Sequence, residues 1–251
     1  MPPSTCRYES AAALAEGGPQ AVYEAARAIG SYLKKYGFDI DFAPVADVNT
    51  NPENIIIGAR AFSDDPHAAA PLVAAYVRGL SEAGVLGCLK HFPGHGDTRA
   101  DTHLGFASTG KDWQQIDSCE MVPFRAGIAA GAPLVMAAHI AAPAVTGSDA
   151  PSTLSAAILT DRLREELGFE GAIITDALEM GAIRLHFGSA EAALAALQAG
   201  ADLLLCPLNL QEAFDGILHA IADGRLSEER LDRSVTRILA LKDRAKQNNL
   251  T

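Results

Sequence analysis

Along the chain, short continuous apolar runs alternate with longer segments in which apolar residues recur every three or four positions. Continuous apolar runs suit buried parallel strands, and the longer spacing suits helices that bury one face. Five runs read as strands: Asp39–Val45, Gly84–Lys90, Leu134–His139, Gly171–Asp176 and Asp202–Cys206. Helices are predicted at Pro19–Tyr36, Asp65–Ala83, Trp113–Ala130, Ser155–Leu167, Ser189–Gln198, Leu210–Asp223 and Ser227–Lys246. Gly37 and Gly168 follow two of them, where glycine commonly ends a helix. The alternation predicts an α/β fold of βα units. Several strands end in polar residues, Lys90-His91, His139 and Thr175-Asp176, which is how the mouth of a (β/α) barrel is built. A doubly wound sheet is the competing architecture, and no G-x-G-x-x-G or P-loop follows any strand to support its nucleotide-binding version. A closed (β/α)8 TIM-type barrel needs eight βα units and about five are legible, so the expectation is one incomplete barrel domain over residues 1–251.

Composition narrows the function classes. Apolar residues make up 49% and charged residues 20% of the 251 residues, as in globular domains rather than disordered chains. No run of 18 or more apolar residues occurs, so no membrane-spanning helix is expected. The net charge of −11, without a basic block, argues against nucleic acid or an anionic membrane as partner. The four cysteines form no C-x-x-C pair, and Cys88 and Cys206, in apolar runs, read as small buried side chains. Met1–Thr5 has no basic or apolar leader character, so the expected location is the cytoplasm.

Candidate chemistry concentrates in Lys90–His103, which holds three of the seven histidines and two aspartates. Metal binding would use His91, His95 and His103 with Asp97 or Asp101. Pro93, Gly94 and Gly96 disfavour the helix that would point His91 and His95 at one ion. Acid/base work is the other use. Asp101 and His103 are two apart and share one side of an extended segment, where a carboxylate can orient an imidazole and raise its pKa. A second carboxylate, Asp176, ends the Gly171–Ile174 run. It reads equally as a nucleophile at a strand mouth and as an N-cap. Asp47 could orient Arg60 or cap its own strand. Trp113 reads as a packing residue, Met180 as pocket or core, and His139 as better placed for function than His186 or His219.

The whole segment resembles the K-H-F-P-G-H-G-x-x-x-x-D-(S/T)-H signature of family 3 glycoside hydrolases, in the NagZ-type β-N-acetylglucosaminidase (β-hexosaminidase) branch. Phe42–Val48, Ile57–Ser63, Pro151–Ser155, Leu167–Gly171 and Ile174–Met180 also resemble that branch. The resemblance implies a (β/α)8 barrel, no metal and no organic cofactor. It implies Asp176 as nucleophile, His103 as general acid/base assisted by Asp101, and Arg60, Lys90 and His91 as holders of the terminal sugar's hydroxyls. The implied reaction is removal of terminal β-linked N-acetylglucosamine with retention, as in peptidoglycan recycling; a phosphate acceptor in place of water is a variant. Family members carry three further strands and a D-Q-E-G-G motif before Phe42–Val48, so the chain reads as truncated at its N-terminus. Ala15-Glu16-Gly17-Gly18 follows no apolar strand and is not that motif. Two readings stay open beside this one: a metal-dependent hydrolase using His91, His95, His103 and His139, and an inactive fragment serving only in binding or interaction. Open barrel edges at Asp39–Val45 and Asp202–Cys206 would favour oligomerisation.

Overall fold

The structure, a computed structural model, describes residues 9–101 and 106–247; of Ala100, Asp101 and Phe106 it describes the backbone. In chain order the helices are α1 (Ala11–Ala15), α2 (Gly18–Lys35), α3 (Pro66–Glu82), α4 (Trp113–Ser118), α5 (Met121–Ala129), α6 (Pro143–Thr146), α7 (Gly181–Arg184), α8 (Ser189–Ala199), α9 (Leu210–Ala222) and α10 (Glu228–Gln247). The strands are β1 (Ile40–Asp41), β2 (Leu86–Phe92), β3 (Arg99–Asp101), β4 (Phe106–Ser108), β5 (Leu134–Ala137) and β6 (Ala172–Thr175). The chain divides into two compact units, and the division falls inside β5.

The first unit comprises residues 1–98, 114–135 and 242–251. Asp65 caps α3 by accepting the His67 N–H at 2.8 Å, and Pro66 opens the helix where a missing N–H does no harm. Helix α2 ends with Lys34 and Lys35, cations placed at the negative end of the helix dipole. The two helices pack nearly backbone to backbone: a Cβ on Gly79 of α3 would sit 2.4 Å from the Tyr23 carbonyl oxygen of α2. Ala26, Leu80 and Val85 form a buried cluster there, with Leu33 and Tyr76 against it. The apolar run after α3 becomes β2, buried along most of its length, and it pairs in parallel with β1. Ile40 faces Leu86 and Asp41 faces Gly87, yet the next paired residues are Val45 and Lys90. The first strand therefore takes four steps where its partner takes three, and the segment containing Pro44, which has no N–H, bulges out of the ladder. This is why only two of the seven residues expected from Asp39 to Val45 are regular strand.

The expected helix Trp113–Ala130 divides into α4 and α5 at Cys119-Glu120. Pro123, in the first turn of α5, has no N–H with which to carry a continuous helix across that point. Trp113 packs rather than opening onto a pocket. Its indole N–H donates to Glu166 at 2.7 Å and the Arg162 guanidinium lies 4.9 Å over its ring.

The second unit comprises residues 99–113 and 136–241. It opens with an antiparallel pair, β3 with β4, where the sequence suggested an extended segment around Asp101 but none of the five expected strands. The expected helix Ser155–Leu167 is a π-helical stretch, Ala157–Glu166, closed by the Leu167 N–H on the Arg162 carbonyl. The fifth expected strand is reduced to one parallel bridge, Ile174 with Leu203. The Thr175 hydroxyl takes the Leu205 N–H, and the Leu205 carbonyl then turns to the Leu178 N–H, so the ladder stops there. Cys206 is exposed, not buried as its apolar run suggested. The backbone turns left-handed at this residue, φ 43°, and the strand direction that would carry the thiol inward is lost. Helices α8 and α9 and the start of α10 bury Leu194, Leu197, Ala220 and Leu226 between them. No described helix is long and apolar enough to cross a membrane.

Candidate active site

Within the first unit, the segment after β1 and the C-terminal end of β2 bring Asp47, Arg60 and His91 together, with Lys90 next to His91 in the chain. Asp47 is the centre. Its side chain is fully buried and accepts the backbone N–H of His91 at 3.2 Å on each oxygen and the backbone N–H of His95 at 2.7 Å. It also lies 2.7 Å from His91 Nδ1. Burial alone would push this carboxyl up. Attraction to the His91 ring and hydrogen bonds from His91 and His95 outweigh it and hold Asp47 below the usual carboxylate range. Asp47 thus orients His91, not Arg60 as the sequence allowed. With Nδ1 committed to Asp47, His91 turns Nε2 toward Arg60, whose Nη2 is 3.5 Å away. Arg60 ends a short 3-10 turn, Gly58–Arg60, and braces itself on the Ile56 carbonyl at 3.0 Å. Lys90 extends from the half-buried position of β2, and its charge tempers the rise that burial imposes on the Asp41 carboxyl.

The glycine-rich turn after β2 is pinned from below, and it is not a helix. Gly94 N–H returns to the His91 carbonyl at 2.7 Å, and a Cβ on Gly96 would lie 1.9 Å from the Val48 carbonyl oxygen, so only hydrogen fits. Asn54 donates to the His95 carbonyl at 2.7 Å and Asn51 to the Thr98 carbonyl at 3.1 Å. These asparagines were not singled out from the sequence; their signal was the turn-forming run Asn49-Thr50-Asn51-Pro52-Glu53-Asn54 after a strand. The His95 ring packs edge-on against His91, 5.9 Å between centroids, with its Nδ1 2.7 Å from the Thr98 hydroxyl. Among the described residues no three His, Cys, Asp or Glu side chains group as metal ligands would.

Within the second unit, Asp176 follows the buried strand β6, and its backbone N–H donates to the Ala137 carbonyl of β5 at 2.9 Å. One carboxylate oxygen accepts the Ala177 N–H at 2.8 Å. The helix that follows, α7, begins five residues later, so Asp176 is not its N-cap. Beside it His139, 5% exposed, places Nε2 2.9 Å from the Ala177 carbonyl and Nδ1 2.8 Å from the Thr153 hydroxyl. Asp101 lies in β3 by its backbone, while His103 lies outside the described residues. Met180 is 44% exposed, so it fills no core.

Residues 6–241 match the description "Glycosyl hydrolase family 3 N terminal domain". The chain belongs to glycosyl hydrolase family 3. It is 37% identical over 244 residues to "Beta-hexosaminidase A" of Pseudoalteromonas piscicida, a match covering 89% of this chain and 41% of that one. It is 38% identical over 229 residues to "Beta-hexosaminidase LpqI" of Mycobacterium tuberculosis, covering 89% and 59%. Among solved structures it superimposes on a glycoside hydrolase family 3 β-N-acetylglucosaminidase from Paenibacillus sp. with TM-score 0.90 and 43% identity, covering 94% of this chain and 45% of that one. The chain thus spans about half the length of these family 3 relatives. Its fold is the TIM-barrel-like α/β fold of the family's N-terminal domain, with the barrel partial.

Two buried histidines, one in each unit, are expected to make the stability pH-dependent. Burial lowers the His95 pKa below its ordinary value, with His91 and Arg60 in the same direction and Asp47 opposing. Burial also lowers that of His139, with the Ala177 carbonyl and Asp176 opposing. The unfolded chain therefore binds more protons than the folded one between the lowered values and about 6.5, the ordinary histidine value. Stability should hold above about pH 6.5 and fall as the pH drops below it, levelling off only beneath the folded values. Urea melts between pH 8 and 5 are expected to show this slope, and His95→Asn should flatten part of it. A wild-type profile independent of pH over that range would refute the assignment.

Proposed function

We propose that this chain carries the catalytic barrel face of a retaining glycosidase that removes terminal β-linked N-acetylglucosamine. The observation that carries the reading is Asp176: a carboxylate at the end of a buried parallel strand, held by one N–H of its own loop, in a family 3 domain whose similar relatives are named hexosaminidases. Asp176 would attack the anomeric carbon, forming a glycosyl ester as the glycosidic bond breaks. His103, oriented by Asp101, would give its proton to the leaving oxygen and then take one from the incoming water. An imidazole in that role places no second negative charge beside the ester. Arg60, Lys90 and His91 would hold sugar hydroxyls, with His91 kept in orientation by Asp47. The reaction needs only side chains, so no cofactor is assigned.

The test is the stereochemistry of the product. Proton NMR of the first sugar released from an aryl N-acetyl-β-glucosaminide is expected to show the β anomer, which then mutarotates. Release of the α anomer first would exclude a glycosyl-enzyme, and release of glucose but not N-acetylglucosamine from paired substrates would exclude the substrate class.

A further inference from the structure

His139, just after β5, is a nearly buried polar side chain with both ring nitrogens engaged. Its partner on one side is the Ala177 carbonyl, one residue beyond Asp176. A carbonyl only accepts, so Nε2 carries the proton. On the other side the Thr153 hydroxyl, 2.8 Å from Nδ1, also reaches the Ala138 carbonyl at 2.7 Å, and its single proton serves one of the two at a time. With the ring neutral, that proton goes to Nδ1, and the tautomer with hydrogen on Nε2 is fixed.

The bond bears on Asp176 through the peptide that follows it. The Ala177–Leu178 peptide is held at both ends: its carbonyl by His139, and also by the Met180 N–H at 3.0 Å; its N–H by the Leu205 carbonyl at 2.9 Å. Asp176 N–H is tied to the Ala137 carbonyl. Ala177 lies between these anchors, and its own N–H points at the Asp176 carboxylate. We propose that His139 is a positioning residue for the nucleophile: through Nε2–H it clamps the Ala177 carbonyl, and the clamp aims the Ala177 N–H that fixes the Asp176 carboxylate. This rests on the reading of Asp176 as nucleophile. Burial of the ring favours the neutral form that the clamp uses, and Asp176 is the carboxylate that bears on it.

Two amide substitutions separate positioning from packing. In His139→Gln the amide NH2 falls near the old Nε2 and can still donate to Ala177. In His139→Asn it falls near the old Nδ1, reaching Thr153 but not Ala177. Both leave a polar group of similar burial, so both should lower the melting temperature alike. Positioning predicts that His139→Asn loses about 100-fold in kcat, as small misplacements of reacting groups do, with KM within about threefold. His139→Gln should stay within about tenfold of wild type. Equal kcat losses in the two variants, or losses confined to KM, would overturn it.

A second measurement needs no turnover. Hydrogen exchange by NMR should show the Ala177 amide protected in wild type and His139→Gln and deprotected in His139→Asn, and the wild-type His139 ring should carry its proton on Nε2. Unchanged Ala177 protection in His139→Asn, or a proton on Nδ1 of the neutral ring, would overturn the clamp. Failure of the glycosidase reading looks different: no turnover of an aryl N-acetyl-β-glucosaminide by wild type, or full turnover by Asp176→Asn, with the exchange pattern untouched.

Discussion

Asp176→Asn is expected to leave the protein folded and to lower turnover of an aryl N-acetyl-β-glucosaminide by about three orders of magnitude or more. Asparagine has the shape of aspartate, and its amide oxygen can still accept the Ala177 N–H that now lies 2.8 Å from the carboxylate. The backbone bond from residue 176 to the Ala137 carbonyl does not involve the side chain at all. What disappears is the anionic oxygen that forms the glycosyl ester, and loss of a covalent nucleophile has effects of that size. Steady-state kinetics with a urea melt of the same preparation checks both halves. Near-normal turnover would remove Asp176 from the role. A collapsed melt would show that the carboxylate's charge is structural.

The largest effect on stability is expected at a residue far less conspicuous in the sequence. Asp202, whose side chain is wholly buried, receives Arg164 on one oxygen and Ser234 at 2.6 Å and Arg237 at 3.1 Å on the other. The Ile173 N–H also reaches it at 3.0 Å, and Arg230 stands 3.7 Å away. One carboxylate therefore ties the π-helical stretch, β6 and α10 together. Burial already depresses the Arg164 guanidinium to about 10, with Asp202 pulling it back up. Asp202→Ala would leave three arginines crowded without their counter-charge and a strand N–H without its acceptor. Breaking a buried ion pair from one side costs about 3–5 kcal/mol. Against a total of about 5–15 kcal/mol for an ordinary domain, that is about a fifth or more of the stability. Urea unfolding should show the midpoint fall accordingly. A loss under about 1 kcal/mol would mean that water replaces the carboxylate at little cost.

Most of the framework was legible because buried parallel strands leave a plain signature. Leu86–Leu89, Leu134–Ala137 and Ala172–Ile174 are unbroken apolar stretches, and the strands that contain them, Leu86–Phe92, Leu134–Ala137 and Ala172–Thr175, each lie within two residues of their expected place. Helices with one apolar stripe and a marked start, such as α3 behind Asp65-Pro66, were equally plain. The features that escaped depend on contacts distant in sequence. Arg99-Ala100-Asp101 has no strand-like composition and is extended because Phe106–Ser108 pairs with it. The run Leu203–Cys206 looks like a strand, yet a threonine hydroxyl on its neighbour takes its N–H. At the site, the sequence marked Asp47, His91 and Asp176 as polar residues ending strands. It did not tell that Asp47 holds the His91 ring, because His91 is 44 positions away and local spacing carries no register between strands.

The seam between α2 and α3 bears on how this protein can be engineered. Replacing helical glycine by alanine is a standard route to a sturdier protein, since alanine gains about 1 kcal/mol in helix propensity. Gly79 inverts that rule: the added methyl would be driven to 2.4 Å from a main-chain oxygen, where no rotamer change can relieve it. One helix would have to lift off the other, opening the Ala26, Leu80 and Val85 cluster along its length. A consensus or propensity-guided redesign that treats every helical glycine as an opportunity would lose ground at Gly79. Gly110, a loop glycine outside the left-handed region where an added Cβ meets nothing within 4 Å, is the better place to begin, since alanine there restricts only the unfolded chain.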